Sequence, residues 1–404
     1  MIMPYFFDFL NCRILLTMIK AADSGKPRHY FDWAATAPLF QDDNETQPGV
    51  FGNPSSLHHE GKIARAALED ARSRAAAVLG VKPETLYFTS GGTESNTLVL
   101  FSFLARKSKG RLLFSAVEHP SIRENCFALE RFGITLGTIG VEKDGRLSRE
   151  LLGRCLEKYT DARFAAIMAV NNEIGALMDM KAISALIRER ENAPIHLHCD
   201  LVQAVGKVPI DINGSCFDSA SISAHKLGGP RGIGLLYLRK PLEALIAGAQ
   251  ERGMRPGTEN TAAAMEFASI LEKRATSNIV IKEHGEALER FSYLINSLKA
   301  MKRCTLIPED REEIDERFSP WIIQARFKGL PGEVMLRALD SEGFAVSTGS
   351  ACSSSAKERP VLSAIGLGEE ASLEGIRISQ GWTTTIDDIK ALVSGIEKIL
   401  DLYK

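Results

Sequence analysis

The chain has 404 residues, 45% of them hydrophobic and 25% charged, with a formal net charge of −2. This is the balance of an ordinary globular protein and excludes disordered, collagen-like and disulfide-scaffold classes. It leaves no basic field for nucleic acid and no polybasic run for a membrane surface, so neither is expected as a partner.

A single core rarely grows past about 250–300 residues, so two domains are expected. Cys12, Cys126, Cys155, Cys199, Cys216, Cys304 and Cys352 are scattered, odd in number and without a CxxC pair. Free thiols in a reducing, cytoplasmic compartment are the simplest expectation. The apolar stretch from Ile2 to Ile19 is interrupted by Pro4, Asp8, Asn11 and Arg13. It is too broken for a membrane span and lacks the leading positive charge of a signal peptide. Residues 1–27 are therefore read as an appendage, with Met18 as a candidate true start.

Beyond residue 28, short apolar runs alternate with helical patterns. Strands are expected at Leu86–Thr89, Arg111–Ser115, Phe164–Val170, Ile195–Asp200, Ser219–Ser223 and Gly234–Leu238. Helices are expected at Glu94–Lys107, Ile122–Phe132 and around Lys181–Arg190. Such alternation implies an α/β fold with a mostly parallel sheet covered by helices, whose ligands bind at the carboxyl ends of the strands. One helical stretch is expected from Asn260 to about Lys302. Trp321–Phe327 and Ile376–Ser379 then read as strands, and Gly332–Glu342 and Asp387–Leu402 as helices, giving a smaller α+β unit.

Four features fall at strand ends or in loops. Ser90-Gly91-Gly92-Thr93-Glu94 follows a strand and opens a helix, the arrangement of an anion cup, or else a plain turn with Thr93 as N-cap. His196, His198 and Asp200 alternate onto one strand face. They read as a metal ligand set, as one acid presented to a cofactor cation, or as a polar strand edge. No further His/Glu cluster supports metal, so none is expected. Ser223-Ala224-His225-Lys226 ends the next strand, where a desolvated lysine becomes nucleophilic. The glycines after it run into a strand, which argues against a dinucleotide loop. Gly349-Ser350-Ala351-Cys352 is small and flexible, placing a thiol on an accessible loop or leaving an incidental cysteine there. Together they make one constellation, and three of its members, the anion cup, the strand-end acid and the strand-end lysine, are what pyridoxal phosphate (PLP) requires.

At this point the chain resembles a cysteine desulfurase of the NifS/IscS type, in the class V aminotransferase group of fold-type I PLP enzymes. The resemblance runs from Tyr30 to about Leu400 through YFDWAATAP, FGNPSSLH, FTSGGTESN, EHP, VNNEIG, HCDLVQAVGK, SAHKLGGPRGIG, ERGMRPGTEN, STGSACSS and IRIS. It implies a large PLP-binding domain over residues 40–262. A small domain formed by 28–39 and 263–404 would carry the cysteine loop. By resemblance Lys226 holds PLP and moves protons, Asp200 pairs with the pyridine nitrogen, and Gln203 donates to the ring oxygen. His119 stacks on the ring and serves as acid or base. Gly92, Thr93, Ser223 and His225 form the phosphate cup, which Thr258 of a second subunit completes, implying a homodimer. Asn172 and Arg377 hold the substrate, and Cys352 takes the sulfur of L-cysteine as a persulfide while alanine leaves. An acceptor protein, an iron–sulfur scaffold or a tRNA-thiolation protein, would then receive it.

The chain departs from the family pattern in four places. The segment between Pro38 and Phe51 is short, Ala37 replaces a usual threonine, and the loop after Cys352 is shorter and more charged. No long tail for docking an iron–sulfur scaffold follows the last helix. The alternatives are a selenocysteine lyase or related class V PLP enzyme, a metal hydrolase built on His196, His198 and Asp200, and a catalytically silent sulfur-carrier subunit.

Overall fold

The computed structural model describes residues 26–38, 40, 50–106, 110–190, 194–349 and 359–403. The main sheet has seven strands: β2 (Leu86–Thr89), β3 (Arg111–Ser115), β4 (Thr135–Ile139), β5 (Ala162–Met168), β6 (His196–Asp200), β7 (Ser219–Ser223) and β8 (Gly234–Leu238). Their order is β2-β8-β7-β6-β5-β3-β4. β7, β6, β5, β3 and β4 run parallel to one another, whereas β8 is antiparallel to both β7 and β2. The expected mostly parallel sheet is present, and the antiparallel exception follows from the loop Leu227–Ile233, too short for a helical crossover.

Helices α1 (His59–Leu79), α2 (Gly92–Ala105), α3 (Pro120–Glu130), α4 (Arg149–Lys158), α5 (Met180–Arg188) and α6 (Thr261–Arg274) accompany this sheet. Sequence patterning missed α1, β4 and α4. The buried face of α1 is Gly61, Ala64, Leu68, Ala71, Arg72, Ala75 and Ala76. A stripe of small residues broken by an arginine carries little hydrophobic periodicity. The single helix expected over 260–302 is two, α6 and α7 (Ser277–Ala300), broken at Ala275–Thr276.

The remaining strands are β1 (His29–Tyr30), β9 (Cys304–Ile307), β10 (Ile322–Phe327), β11 (Phe344–Ala345) and β12 (Gly375–Ser379). An antiparallel sheet, β12-β10-β9, and the parallel pair β1-β11 pack with α7, α8 (Gly332–Ser341) and α11 (Ile386–Leu402). Two short helices, α9 (Pro360–Ala364) and α10 (Glu369–Leu373), precede β12. Phe31, Phe291, Phe327, Met335, Ile378 and Ile396 belong to this unit's own apolar core, separate from that of the large sheet. β9 was also missed by the sequence reading. No helix among the described residues is long and apolar enough to cross a membrane.

Candidate active site

Strands running in one direction send their carboxyl ends to one side of the sheet, and the chain continues from five of them into one cavity of about 250 Å³. Its lining includes Gly92 and Thr93 after β2, His119 after β3, Asn172 after β5, and Asp200 and Gln203 at and after β6. Ser223, His225 and Lys226 at the end of β7, and Arg377 from β12, complete the predicted set. Thr258 is exposed and is not among the residues lining its own chain's cavity. Cys352 lies outside the described residues, but Gly349, three positions before it, is part of the cavity wall.

The strand–helix turn after β2 is shaped by close approach. A Cβ on Gly234 of β8 would come within 2.6 Å of Gly91 Cα, so glycine is required where the turn crosses β8. Helix α2 is capped by Gly91, which has no side chain to donate or accept. The alternative of Thr93 as N-cap is therefore replaced: Thr93 lies inside the first turn. The N–H groups of that turn have no acceptor within the helix, and Thr93 and Ser223 line the same space.

Asp200 is buried, at 5% exposure. Its Oδ1 accepts from the Val202 amide at 2.9 Å and its Oδ2 from Asn96 Nδ2 at 2.9 Å. The Asn96 amide also donates to Ser121 Oγ at 2.8 Å, and Asn96 Oδ1 lies 2.9 Å from His198 Nε2. Burial pulls His198 down to about 3, so it is neutral. Because Asn96 Oδ1 can only accept, Nε2 carries the His198 proton and Nδ1 accepts from Ser219 Oγ at 2.8 Å. His196 Nε2 also reaches Ser219 Oγ at 2.8 Å. Both imidazoles are thus spent on hydrogen bonds inside the sheet, and only Asp200 of the three reaches the cavity. Among the described residues no group of three or more His, Cys, Asp or Glu is placed to hold a metal ion.

His119 is the N-cap of α3: its Nδ1 accepts from the Ser121 amide at 3.1 Å and lies 2.8 Å from Ser121 Oγ. A backbone N–H can only donate, so Nδ1 is the acceptor and Nε2 bears the proton in the neutral ring. Burial lowers the His119 pKa, with Lys226 opposing the Asp200 charge that would raise it. His225 is likewise lowered to about 4, by burial and then by Lys226.

Lys226 Nζ donates to the carbonyls of Ala34 and Ala35, each at 2.7 Å. Gln203 Nε2 donates to Ala34 O at 2.9 Å, and Gln203 Oε1 accepts from Lys207 Nζ at 2.8 Å. Arg377 Nη1 donates to Asn172 O at 2.9 Å and Nη2 to Asp32 Oδ1 at 2.8 Å. Nε of Arg377 is buried without a partner among the described residues, so one donor remains in reserve. Asn171 shapes the turn carrying Asn172, its Oδ1 accepting from the Glu173 and Ile174 amides at 2.9 Å each.

Sequence reasoning assigned no role to Asp32, Ala34, Asn96, Ser121, Asn171 or Lys207. All but Ser121 sit within a motif block, and Ser121 directly follows one, so the blocks marked the segments, while partners up to 345 positions away did not show.

The cavity can be tested against PLP. Its glycine-capped helix end, with Ser223 and His225 beside it, suits a phosphate. The Asp200 carboxylate suits a protonated ring nitrogen, and Lys226 suits an aldehyde. A Cβ on Gly92 would lie 2.5 Å from Val202 Cγ2, so the bare glycine leaves the cradle open. The residues present fit the group.

The aminotransferase class-V family model matches residues 29–392. The chain belongs to this family. It is 36% identical over 390 residues to the cysteine desulfurase IscS of Dictyoglomus turgidum, covering 92% of this chain and 94% of that one. It is 33% identical to the putative cysteine desulfurase IscS 1 of Bacillus subtilis, with 92% and 98% covered. Among solved structures, a NifS-like protein superposes with a TM-score of 0.82 at 29% identity, over 93% of this chain and 100% of that one. The fold is that of these PLP-dependent relatives.

Proposed function

We propose that this class-V family member is a PLP-dependent cysteine desulfurase. It converts L-cysteine to L-alanine and hands the sulfur, as a persulfide on Cys352, to an acceptor protein for iron–sulfur clusters or tRNA thiolation. The observation that carries the reading is the convergence of Asp200, Lys226, His119 and Arg377 on one cavity whose wall includes Gly349. The relatives' names favour it over the selenocysteine-lyase alternative.

Bound PLP would supply an electron sink that loosens the Cβ–Sγ bond of cysteine. Thr93, Ser223, His225 and the α2 amides would hold its phosphate, Asp200 its ring nitrogen, Gln203 its ring oxygen and Lys226 its aldehyde. Arg377 binds the substrate carboxylate, with Nε adding a donor directed by Asp32 and the Asn172 carbonyl. Neutral His119, protonated on Nε2, offers that N–H to the cavity as a hydrogen-bond donor while Nδ1 stays held by the Ser121 amide. Cys352 follows Gly349 by three residues, a span of at most about 11 Å. Overall the Cβ–Sγ bond breaks and an S–S bond forms on Cys352. The bonding pair stays with carbon, which gains a proton and leaves as alanine.

The other cysteines among the described residues suit the role poorly. Burial raises the pKa of Cys126, Cys155, Cys199 and Cys304. Cys216 is exposed but precedes β7, at the end of that strand opposite to Ser223. The described residues on either side of positions 350–358 are tied to each other, Arg359 Nη1 donating to Thr348 O at 3.0 Å. We further propose a cytoplasmic homodimer in which Thr258, exposed on its own chain, completes the partner's phosphate cup, with the large and small domains divided near residue 262.

The test is alanine and sulfide release from L-cysteine by PLP-loaded protein with a thiol reductant. Equal yields are expected. Lys226→Ala should abolish the visible absorbance, and Cys352→Ser should keep it while sulfur release collapses. Retained persulfide transfer by Cys352→Ser would refute the thiol's role.

A further inference from the structure

Lys207 is a buried lysine that the reaction as described does not use. It is 6% exposed, and its ammonium donates to Gln203 Oε1 at 2.8 Å. The charged groups acting on it are cations, Lys226 after β7 and Arg377 from β12. Its backbone is pinned independently: Trp321 Nε1 donates to the Lys207 carbonyl at 2.6 Å, and His284 Nδ1 of α7 lies 3.2 Å from the same oxygen. Burial, with added repulsion from Lys226 and Arg377, pulls its ammonium down to about 7. A buried cation among cations is costly unless an anion joins them.

The Gln203 amide shows where that anion belongs. Ala34 O can only accept, so the atom facing it at 2.9 Å must be Nε2. Lys207 Nζ donates to the other end, which must be Oε1. The two neighbours fix the amide against a flip. One Nε2 hydrogen is used on Ala34 O, and the second belongs to a residue lining the cavity.

We propose that Lys207 is a positioning residue for the ring oxygen of bound PLP: it locks the Gln203 amide so that its second N–H serves that oxygen, and its charge, relayed through the amide, favours the oxygen's anionic form. This rests on the proposed PLP reading of the cavity.

The experiment loads apo wild type, Lys207→Met and Lys207→Gln with PLP and reads two quantities: the dissociation constant, and the pH midpoint of the bound cofactor's visible absorbance. Wild type should bind one equivalent and develop the band; a wild type without it fails the PLP reading, and with it this proposal, before any variant is compared. Lys207→Met loses both the donor and the charge. Its loading should weaken about tenfold, the loss of one charged hydrogen bond. Its midpoint should rise by at least about half a unit, because removing a nearby cation favours the protonated cofactor. Lys207→Gln keeps a donor without the charge, so its loading should return to within about threefold of wild type while its midpoint stays raised. A folded Lys207→Met protein that loads like wild type overturns the positioning role. An unmoved midpoint in Lys207→Gln overturns the charge role, and this variant alone decides that point if Lys207→Met does not fold.

Discussion

The Asp32 carboxylate lies 2.8 Å from Nη2 of Arg377, joining the segment after β1 to strand β12 across 345 positions of sequence. The Arg377 guanidinium is 2% exposed in its side chain, and Asp32 and the Asn172 carbonyl leave it little freedom to turn. Asp32→Asn should raise the KM for L-cysteine about fivefold to tenfold by weakening one charge-assisted hydrogen bond, with a smaller change in kcat. Steady-state kinetics at saturating PLP measure this. An unchanged KM would mean that Arg377 is oriented by the Asn172 carbonyl alone.

Asn96 donates to Asp200 Oδ2 at 2.9 Å and holds the carboxylate in place. Asn96→Leu removes that donor and leaves buried His198 Nε2 with only the longer 3.3 Å contact to Ser221 Oγ, so both cofactor affinity and stability should fall. About tenfold in PLP dissociation constant is expected, with a loss of about 1–3 kcal/mol in unfolding free energy for the unpaired buried group. Fluorescence titration of the apo protein and urea unfolding separate the two effects.

Glu118 offers a pH test. It is buried at 2% exposure, its Oε1 accepts from Ser115 Oγ at 2.6 Å and the Met168 amide at 2.8 Å, and its Oε2 has no partner among the described residues. Burial pushes its carboxyl up to about 8. The folded state therefore holds this proton more tightly than the unfolded chain. Its stabilising share is complete below the unfolded value near 4.5 and is lost as pH rises through about 8. Glu118→Gln retains an Oε1 acceptor without the charge. Thermal unfolding from pH 5 to 8.5 should show a flatter Tm profile for the variant and a higher Tm than wild type at the alkaline end.

Glu251 and Arg72 form an ion pair with side-chain exposures of 0% and 2%. Glu251 accepts from Arg72 at 2.7 and 2.8 Å and from the Phe88 amide of β2 at 2.8 Å, and it adopts a left-handed φ of 46°. Glu251→Ala strands a buried guanidinium and should cost about 3–5 kcal/mol in chemical denaturation. A cost under about 1 kcal/mol would mean that Glu69 alone satisfies Arg72.

The strand ends of the large sheet were legible because each is a contiguous run: LYFT before SGGTE, HLHCD before LVQ, SASIS before AHK. Period and punctuation suffice for these. Helix α1 was not legible, because its buried face, apart from Leu68, is alanine, glycine and Arg72, whose burial depends on Glu251 far along the chain. The break between α6 and α7 was hidden for a similar reason: an alanine-, glutamate- and leucine-rich run carries high helix propensity throughout, and packing decides where it turns.

The sequence by itself determined which residue types stand at the strand exits, and so the class of chemistry: an acid, a lysine, a glycine-capped helix and a loop thiol. Tertiary structure alone decided how those exits share one cavity and which atoms face each other there. It assigns Asp200 to Asn96 rather than to a metal with His196 and His198, and it turns His119 Nδ1 toward Ser121. It also places Lys207 behind Gln203. The physical reason is that donor direction, protonation state and desolvation are set by neighbours brought together through folding, and sequence spacing carries no record of them.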